Sequence, residues 1–165
     1  MLENQAKKIY IGVGSNLGDR KKNIELTKYK LIQRNVDILE SSSFYESLSW
    51  PNKNDPKFLN IVLSVNTDFS PVELLYHCKQ IETELGRKKS PKNSPRKCDI
   101  DILDYKNYVV KKDINLPHIR MHLRNFVLIP LYEINKSWKH PVLNRNIKML
   151  ILSLRNSDIR SIKKI

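Results

Sequence analysis

The chain has 165 residues, of which 40% are hydrophobic and 28% are charged. This composition is typical of one globular domain and excludes a disordered chain, and no apolar run approaches the length that spans a bilayer. The formal net charge of +13 favours contact with a polyanion, namely nucleic acid, an anionic membrane surface or a nucleotide polyphosphate, although a bias in genome composition explains such a charge equally well.

The first predicted elements are a strand, a turn and a helix. The N-terminal segment MLENQAKKIYIGVG has no hydrophobic stretch with a small-residue cleavage site, so we predict a soluble, cytoplasmic protein. Ile9–Gly14 is predicted to be a short buried strand, and a helix is predicted from about Lys21 to Arg34. We assign the glycines between them to a tight turn, because the segment matches neither phosphate-loop nor dinucleotide fingerprints, and this turn leaves Asn16 free for hydrogen bonding.

Two further strands and a long loop follow. Val36–Tyr45 and Phe58–Thr67 alternate Val, Ile, Phe and Tyr with polar residues, which predicts strands. Between them lies the polar loop SLSWPNKNDPK. A loop of this length usually has a function, so we expect it to lie near a site.

The second predicted helix has a clear start signal. Ser70 is placed as the N-cap, Pro71 occupies the first helical position, and Glu73 follows three residues after the cap. The helix is predicted to end near Gly86. One apolar face repeats at helical spacing: Leu74, Leu75, Cys78, Ile81 and Leu85. Cys78 and Cys98 have neither metal-ligand spacing nor a C-x-x-C pattern, so we interpret both as reduced packing residues.

A cationic loop joins this helix to the next strand. Arg87–Lys97 is rich in Lys and Arg, contains two prolines and lacks periodicity, which predicts an exposed loop. Asp99–Tyr105 is predicted to be a strand. A turn at Lys106-Asn107 and a short strand at Tyr108–Val110 are predicted to follow.

The remaining segments complete the predicted fold. Leu123–Ile134 is predicted to be a helix that accommodates Pro130, and Ile147–Leu154 a final helix. The order strand, helix, strand, strand, helix, strand predicts a ferredoxin-like α+β fold. We therefore expect a mainly antiparallel sheet covered by helices on one or both faces, with extra elements appended at the C-terminal end, in a single domain over residues 1–165.

The strand at Asp99–Tyr105 contains the most informative pattern. Because side chains alternate along a strand, Asp99 and Asp101 point to one face, and Ile100 and Ile102 point to the other. Two carboxylates on a rigid strand suit Mg²⁺ that bridges phosphate oxygens. An acidic exposed strand face is the alternative, because D-x-D alone is short and common.

Positive charges surround this pair in the sequence: Arg87, Lys88, Lys89, Lys92, Arg96 and Lys97 upstream, and His118 and Arg124 downstream. If the loops converge, cations beside a metal pair describe a polyphosphate site. Any single lysine of the loop is otherwise a solvated surface residue, and His118 is otherwise an ordinary loop histidine.

Together these segments resemble the 6-hydroxymethyl-7,8-dihydropterin pyrophosphokinase family. The matching segments are GSNLGDR, SSSFYES, FLNIVLSVNT, IETELGR, PRKCDIDIL and LPH with RNFVLIPLYEI, and they cover nearly the whole chain. The resemblance implies a ferredoxin-like fold and a folate-biosynthesis transferase. It also implies that ATP donates its diphosphate to a reduced pterin, with AMP as by-product, two Mg²⁺ ions, and flexible loops that close over the substrates.

The same resemblance implies roles for individual residues. The metal ligands are Asp99 and Asp101, and these act in catalysis together with Arg87 and Arg96; Asp101 is also a candidate proton acceptor. The ATP-binding residues are Lys79, Glu82, Arg87, Arg96, Ile102, His118 and Arg124. The pterin-binding residues are Asn16, Ser47, Leu48, Phe58, Asn60 and Phe126. Phe58 and Phe126 are placed as the stacking pair, with plain core residues as the alternative.

Two departures and two rival functions accompany this interpretation. Asn93 stands where many relatives have tryptophan, and Ile119 where an aromatic residue often follows Pro-His. A basic, non-catalytic RNA-binding module is the main alternative, although its stacking aromatics are missing. A degenerate relative is the other, against which the intact aspartates and arginines argue. We expect two small-molecule partners, no nucleic acid, no membrane and a monomer.

Overall fold

The computed structural model describes residues 7–165. Residues 1–6, which begin the segment used to predict a cytoplasmic location, lie outside the described residues. The elements are β1 (Ile9–Ser15), α1 (Arg20–Gln33), β2 (Asp37–Ser41), β3 (Tyr45–Ser47), β4 (Phe58–Asn66), α2 (Pro71–Glu84), β5 (Asp99–Tyr105), a 3₁₀ helix (Met121–Leu123), α3 (Asn125–Ile134), α4 (Ile147–Leu152), α5 (Asn156–Ser161) and β6 (Lys163–Lys164).

The strands form one antiparallel sheet. Its order is β5-β1-β4-β3-β6, and β2 pairs with the other half of β4. The crossovers through α1 and α2 place β1 and β4 at the centre, as the split β-α-β arrangement requires. The predicted ferredoxin-like α+β fold is therefore confirmed, with α3, α4, α5 and β6 as the appended elements.

Two hydrophobic cores lie on opposite faces of the sheet. The larger core joins α1 and α2 to one face through Ile24, Leu31 and Leu74. The smaller core joins α3 and α4 to the other face, where Leu128 and Leu150 are buried. Helices therefore cover both faces, since each face of the sheet has an apolar surface to bury.

The second helix begins as the sequence predicts. Ser70 Oγ accepts a hydrogen bond from the Glu73 amide at 3.2 Å, and the Glu73 carboxylate accepts one from the Ser70 amide at 2.7 Å. This capping box is confirmed. Cys78 and Cys98 are buried thiols without a disulfide, and burial raises the pKa of each to about 12. Their interpretation as packing residues is confirmed.

The predicted strand Val36–Tyr45 is wrong as a single element. It is divided into β2 and β3, which pair with different halves of β4, and the register shifts between Ile38 and Glu40. At the break, the Ser42 hydroxyl accepts a hydrogen bond from the Val62 amide at 2.9 Å. A side chain thus replaces a ladder bond, and the edge of the sheet can bend at this point.

The region after β5 also differs from the prediction. Tyr108–Val110 is not a strand, because only Val110 forms a bridge, to Leu116. The predicted turn at Lys106-Asn107 is present, with positive φ at both residues. Leu123 belongs to the 3₁₀ helix, so α3 begins at Asn125, although it does contain Pro130.

The C-terminal end contains more elements than predicted. The helix predicted over Ile147–Leu154 ends at Leu152, and α5 and β6 were not predicted. β6 pairs with β3 through Lys163 and Lys164. Two residues give no periodic signal, so only the tertiary contact identifies this strand.

The fold does not favour the RNA-binding alternative. Ferredoxin-like modules that bind single strands use an uncovered sheet face. Here α1 and α2 cover one face, and α3 and α4 cover part of the other. Within residues 7–165, no helix combines the length and apolarity needed to cross a bilayer.

Candidate active site

A cavity of about 240 Å³ lies on the α3 side of the sheet, beside the last residues of β1 and the first residues of β5. Most of the predicted site residues line it: Ser47, Leu48, Phe58, Asn60, Lys79, Arg87, Arg96, Asp99, Asp101, Arg124 and Phe126. The four that do not are Asn16, Glu82, Ile102 and His118. Segments that are far apart in the sequence therefore converge here.

The two aspartates share one face of β5. Asp99 lies opposite Gly14 and Asp101 opposite Gly12 in the β1–β5 ladder, and both line the cavity. Ile100, between them, is 1% exposed and packs into the core on the other face. The alternation predicted from the sequence is confirmed.

Three arginines neutralise these carboxylates. Asp99 accepts hydrogen bonds from Arg87 and Arg96, each at 2.9 Å, and Asp101 accepts one from Arg124 at 3.1 Å. Burial acts to raise the pKa of Asp99, but the hydrogen bonds and charges of Arg96 and Arg87 outweigh it and lower that pKa below its ordinary value. Asp99 is therefore ionised at neutral pH.

Glu82 contacts two cations of the cavity and the backbone of β5. Its carboxylate is buried, accepts a hydrogen bond from the Ile100 amide at 2.8 Å, and lies 3.1 Å from Lys79 Nζ and 3.4 Å from an Arg87 nitrogen. Burial raises the pKa of Glu82 above its ordinary value. Glu82 thus positions two cations of the cavity and the start of β5, and its contact with ATP stays a prediction.

Asn16 joins three loops. Its side-chain oxygen accepts a hydrogen bond from the Arg96 amide at 2.8 Å, and its amide nitrogen donates to the Pro56 carbonyl at 3.1 Å. The Asn16 side chain forms hydrogen bonds, as predicted, and these partners lie within the protein. Asn16 positions Arg96, and its proposed contact with a pterin stays a prediction.

His118 and Ile102 lie beside the cavity. His118 Nε2 is 3.9 Å from Asp101 Oδ2, and the His118 amide donates to the Leu103 carbonyl at 2.8 Å. Burial lowers the pKa of His118 below its ordinary value, despite the opposing charge of Asp101. The Ile102 side chain is buried in the larger core on the far face of β5. Any contact of Ile102 with ATP therefore requires its backbone.

The cavity also has aromatic and polar lining residues. Phe58 and Phe126 both line it, with the Arg96 guanidinium 5.0 Å from the Phe58 ring centre. Asn60 donates a hydrogen bond to Ser47 Oγ at 2.9 Å, which fixes the orientation of its amide. Such a combination accommodates a flat ring with polar edges.

The glycines of β1 form the floor of this cavity. A Cβ atom at Gly14 would lie 3.1 Å from Asn60 Oδ1 and 3.3 Å from a Phe58 ring carbon, which is closer than ordinary contact. Gly14 lies within β1, in agreement with the predicted strand Ile9–Gly14, so the tight turn accounts only for Gly18, which has a φ of +71°. Sequence alone gave no signal for this role.

Two further cavity residues were not assigned by the sequence. Trp50 comes from the long loop after β3, and Asn93 from the cationic loop. The length of the first loop was the available signal for Trp50. Ile119 is 66% exposed and lies outside the lining of this cavity.

Two carboxylates of the cavity are the candidate magnesium ligands. Among residues 7–165, no group of three or more His, Cys, Asp or Glu side chains is arranged to hold a metal ion. Mg²⁺, however, is commonly bound by one or two carboxylates together with substrate phosphates and water. Asp99 and Asp101, which face the same cavity as three arginines, fit that mode of binding.

Comparison with known families gives a match over most of the chain. Residues 10–136 match the model of the 7,8-dihydro-6-hydroxymethylpterin-pyrophosphokinase (HPPK) family. The chain is also 40% identical over 141 residues to the 2-amino-4-hydroxy-6-hydroxymethyldihydropteridine pyrophosphokinase of Aquifex aeolicus, covering 85% of this chain and 88% of that protein.

Some relatives are much longer than this chain. The folic acid synthesis protein FOL1 of Dictyostelium discoideum is 38% identical over 149 residues, which are 90% of this chain but only 22% of that protein. A solved HPPK-DHPS structure in complex with substrates aligns with a TM-score of 0.73 at 17% identity, covering 97% of this chain and 47% of that one. At that identity the likeness supports the fold alone.

Proposed function

The chain belongs to the 7,8-dihydro-6-hydroxymethylpterin-pyrophosphokinase family, and on that premise we propose that it transfers the diphosphate of ATP to the hydroxymethyl group of 6-hydroxymethyl-7,8-dihydropterin and releases AMP. The reaction is a step of folate biosynthesis. Residues 1–165 form one pyrophosphokinase domain in this proposal. The protein acts in the cytoplasm, as a monomer, on two small molecules, without nucleic acid or membrane.

One observation carries the proposal. A single cavity is lined both by paired carboxylates with three arginines and by two phenylalanines with an oriented amide. The charged residues suit a polyphosphate, because guanidinium groups bind phosphate oxygens in a bidentate manner. The aromatic residues suit a pterin ring. A transferase that joins these two molecules needs both sets of residues in one place.

The arginines hold and stabilise the transferring group. Arg87 and Arg96 pair with Asp99, and Arg124 pairs with Asp101. Each guanidinium can exchange a carboxylate for phosphate oxygens, and its charge then stabilises the negative charge that develops during transfer. Glu82 and Asn16 keep Arg87 and Arg96 in position for this role.

Asp99 and Asp101 would hold two Mg²⁺ ions. When bound, the ions neutralise phosphate charge and make the pterin hydroxyl more acidic. Asp101 accepts the hydroxyl proton in this proposal, and its Oδ2 is held by Arg124. Lys79, the backbone of Ile102 and His118 bind the nucleotide beside this pair of aspartates.

The pterin lies beside the two phenylalanines of the cavity. Phe58 and Phe126 stack on its two faces, and Asn60 with the Ser47-Leu48 segment binds its polar edge. Gly14 leaves the space in which Phe58 and Asn60 lie. The ring is thereby fixed with its hydroxymethyl group directed at the phosphates.

The direct test is AMP release from ATP and Mg²⁺ with and without hydroxymethyldihydropterin. We expect release that depends on the pterin. If AMP forms at the same rate without it, or does not form at all, the proposed reaction is wrong. Binding to RNA that falls steeply with salt and needs no pterin would instead support the alternative module.

The site assignment has its own test. Asp99→Ala or Asp101→Ala should nearly abolish turnover, because the phosphates lose their metal ligands. Lys92→Ala, in the exposed part of the cationic loop, should change turnover much less. Circular dichroism of each variant controls for folding. Equal loss in all three folded variants would contradict the assignment.

A further inference from the structure

A second cavity adjoins the proposed active site. Its volume is about 330 Å³, and it is lined by the loop after β3, the segment around the 3₁₀ helix and α5. Leu48, Trp50, Arg124 and Phe126 line both cavities. These four side chains therefore form a common wall, and the second cavity lies on the side of Trp50 and Phe126 that faces α5.

Three cations without a carboxylate partner line the second cavity. Lys53, Arg120 and Arg155 line it, and none lies within 4.0 Å of an Asp or Glu oxygen anywhere in residues 7–165. Asp158 supplies the one carboxylate of the lining. In the first cavity the arginines are neutralised by aspartates, so the excess positive charge of the second cavity is a distinct property.

Two contacts hold elements that surround the second cavity. The Arg120 guanidinium lies 5.5 Å from the Trp50 ring centre, a distance at which a cation is attracted to an aromatic face. Asn125 Nδ2 donates to the Asp158 carbonyl at 2.7 Å, which attaches α5 to the start of α3. The loop, the 3₁₀ segment and α5 are thus held around one space.

We propose that this second cavity is an anion site that binds a diphosphate group. Three unneutralised cations match the charge of a diphosphate more closely than that of a single carboxylate, and two of them are guanidinium groups suited to phosphate oxygens. The diphosphate is either free or the end of a larger molecule that reaches past Trp50. The site does not depend on the proposed transfer reaction, since binding can be measured without turnover.

Calorimetric titration of the full chain with inorganic diphosphate, in chelator and without ATP, tests the proposal. We expect two binding events for the unaltered protein. Lys53→Gln combined with Arg155→Gln should weaken one event at least tenfold, and Arg87→Ala should weaken the other. Arg160→Gln is the matched control, because Arg160 lies on α5 but does not line the cavity.

Because Trp50 lines both cavities, its fluorescence reports on the second cavity once binding in the first is weakened. In an Arg87→Ala background, diphosphate should still change tryptophan fluorescence, and Trp50→Phe should abolish that change while binding persists. Titration with methyl diphosphate separates the two sources, since equal affinity indicates recognition of a diphosphate end and loss of binding indicates the free ion. A single binding event, or equal weakening by Arg160→Gln, would overturn the proposal.

Discussion

The two faces of the sheet are built by the same central strands but are finished differently. The face toward α1 and α2 is apolar along its whole length and closed. The opposite face is closed by α3 and α4 around Leu103 and Leu128, but toward Asp99 it is open and charged. The closed face supplies stability, and the open end of the other face supplies the candidate chemistry.

Strand alternation makes this division possible within single strands. In β5, Ile100 and Ile102 belong to the closed face, whereas Asp99 and Asp101 belong to the open one. A substitution on the open face can therefore alter the candidate site while the packing of the core on the closed face stays the same. Substitutions on the two faces should accordingly separate activity from the free energy of unfolding, and the following predictions test that separation.

The largest effect on activity is expected from the charged residues of the first cavity. Arg96→Ala should lower kcat by about 10²- to 10³-fold, because one guanidinium that stabilises transferring charge is lost. Its unfolding midpoint in urea should change little. Lys97→Ala, at the next and exposed position, is the matched control. If steady-state kinetics show an equal fall in kcat for both variants, the proposed role of Arg96 is wrong.

The closed face should give the opposite result. Leu74 on α2 is fully buried, so Leu74→Ala should lower the free energy of unfolding by roughly 2–5 kcal/mol. Activity of the folded fraction should remain near that of the parent. Leu152→Ala, at a position that is 71% exposed, should change stability by less than about 0.5 kcal/mol. Urea unfolding measures both.

The glycines of β1 sharpen the comparison to one methyl group. Gly14→Ala should raise the KM for the pterin roughly tenfold, because the new Cβ displaces Phe58 and Asn60. Gly12→Ala is the control, since its Cβ would meet Leu103 at an ordinary 3.6 Å. Pterin titrations of both variants decide. A larger effect at Gly12 would exclude the proposed role of Gly14.

His140, in the closed part of the α3 face, is expected to make the free energy of unfolding depend on pH. This effect should be smaller than the effects of the substitutions above. Burial lowers the pKa of His140 to about 4, and its Nδ1 accepts hydrogen bonds from the Val142 and Leu143 amides. The unfolded histidine takes up a proton near pH 6.5, so between there and pH 4 the unfolded state binds more protons. Stability is therefore complete above pH 6.5 and falls as the pH falls.

His140→Asn removes this titration and retains an acceptor oxygen. From pH 7.5 to 5.5 the parent should lose about 1 kcal/mol more stability than this variant. Thermal unfolding across that range measures the difference. His77→Asn is the control for a general loss of histidine. Identical pH profiles for parent and His140→Asn would contradict the prediction.

Much of the fold was predictable because its signals are local. The span of β5, the start of α2 at Ser70 and the common face of Asp99 and Asp101 follow from alternation and capping. The split between β2 and β3 was not predictable, because it depends on pairing with two halves of β4. The two residues of β6 likewise form a strand only because β3 lies beside them.

The candidate site divides in the same way. Residue types and the family resemblance identified the charged pair and the aromatic residues. They did not identify Gly14 as part of the floor, since its effect depends on how close Phe58 and Asn60 lie. They also missed Trp50 and the cations beside it.

By itself the sequence determined the central strands β1, β4 and β5, the helices α1 and α2, and which carboxylates share a face, since alternation and capping act between neighbours in the chain. Only the tertiary structure decided that Asn16 joins Pro56 to Arg96, and that Arg124 reaches Asp101. Only the docking of α5 created the second cavity. These contacts connect distant residues, and their geometry is set by how the whole chain packs around the sheet.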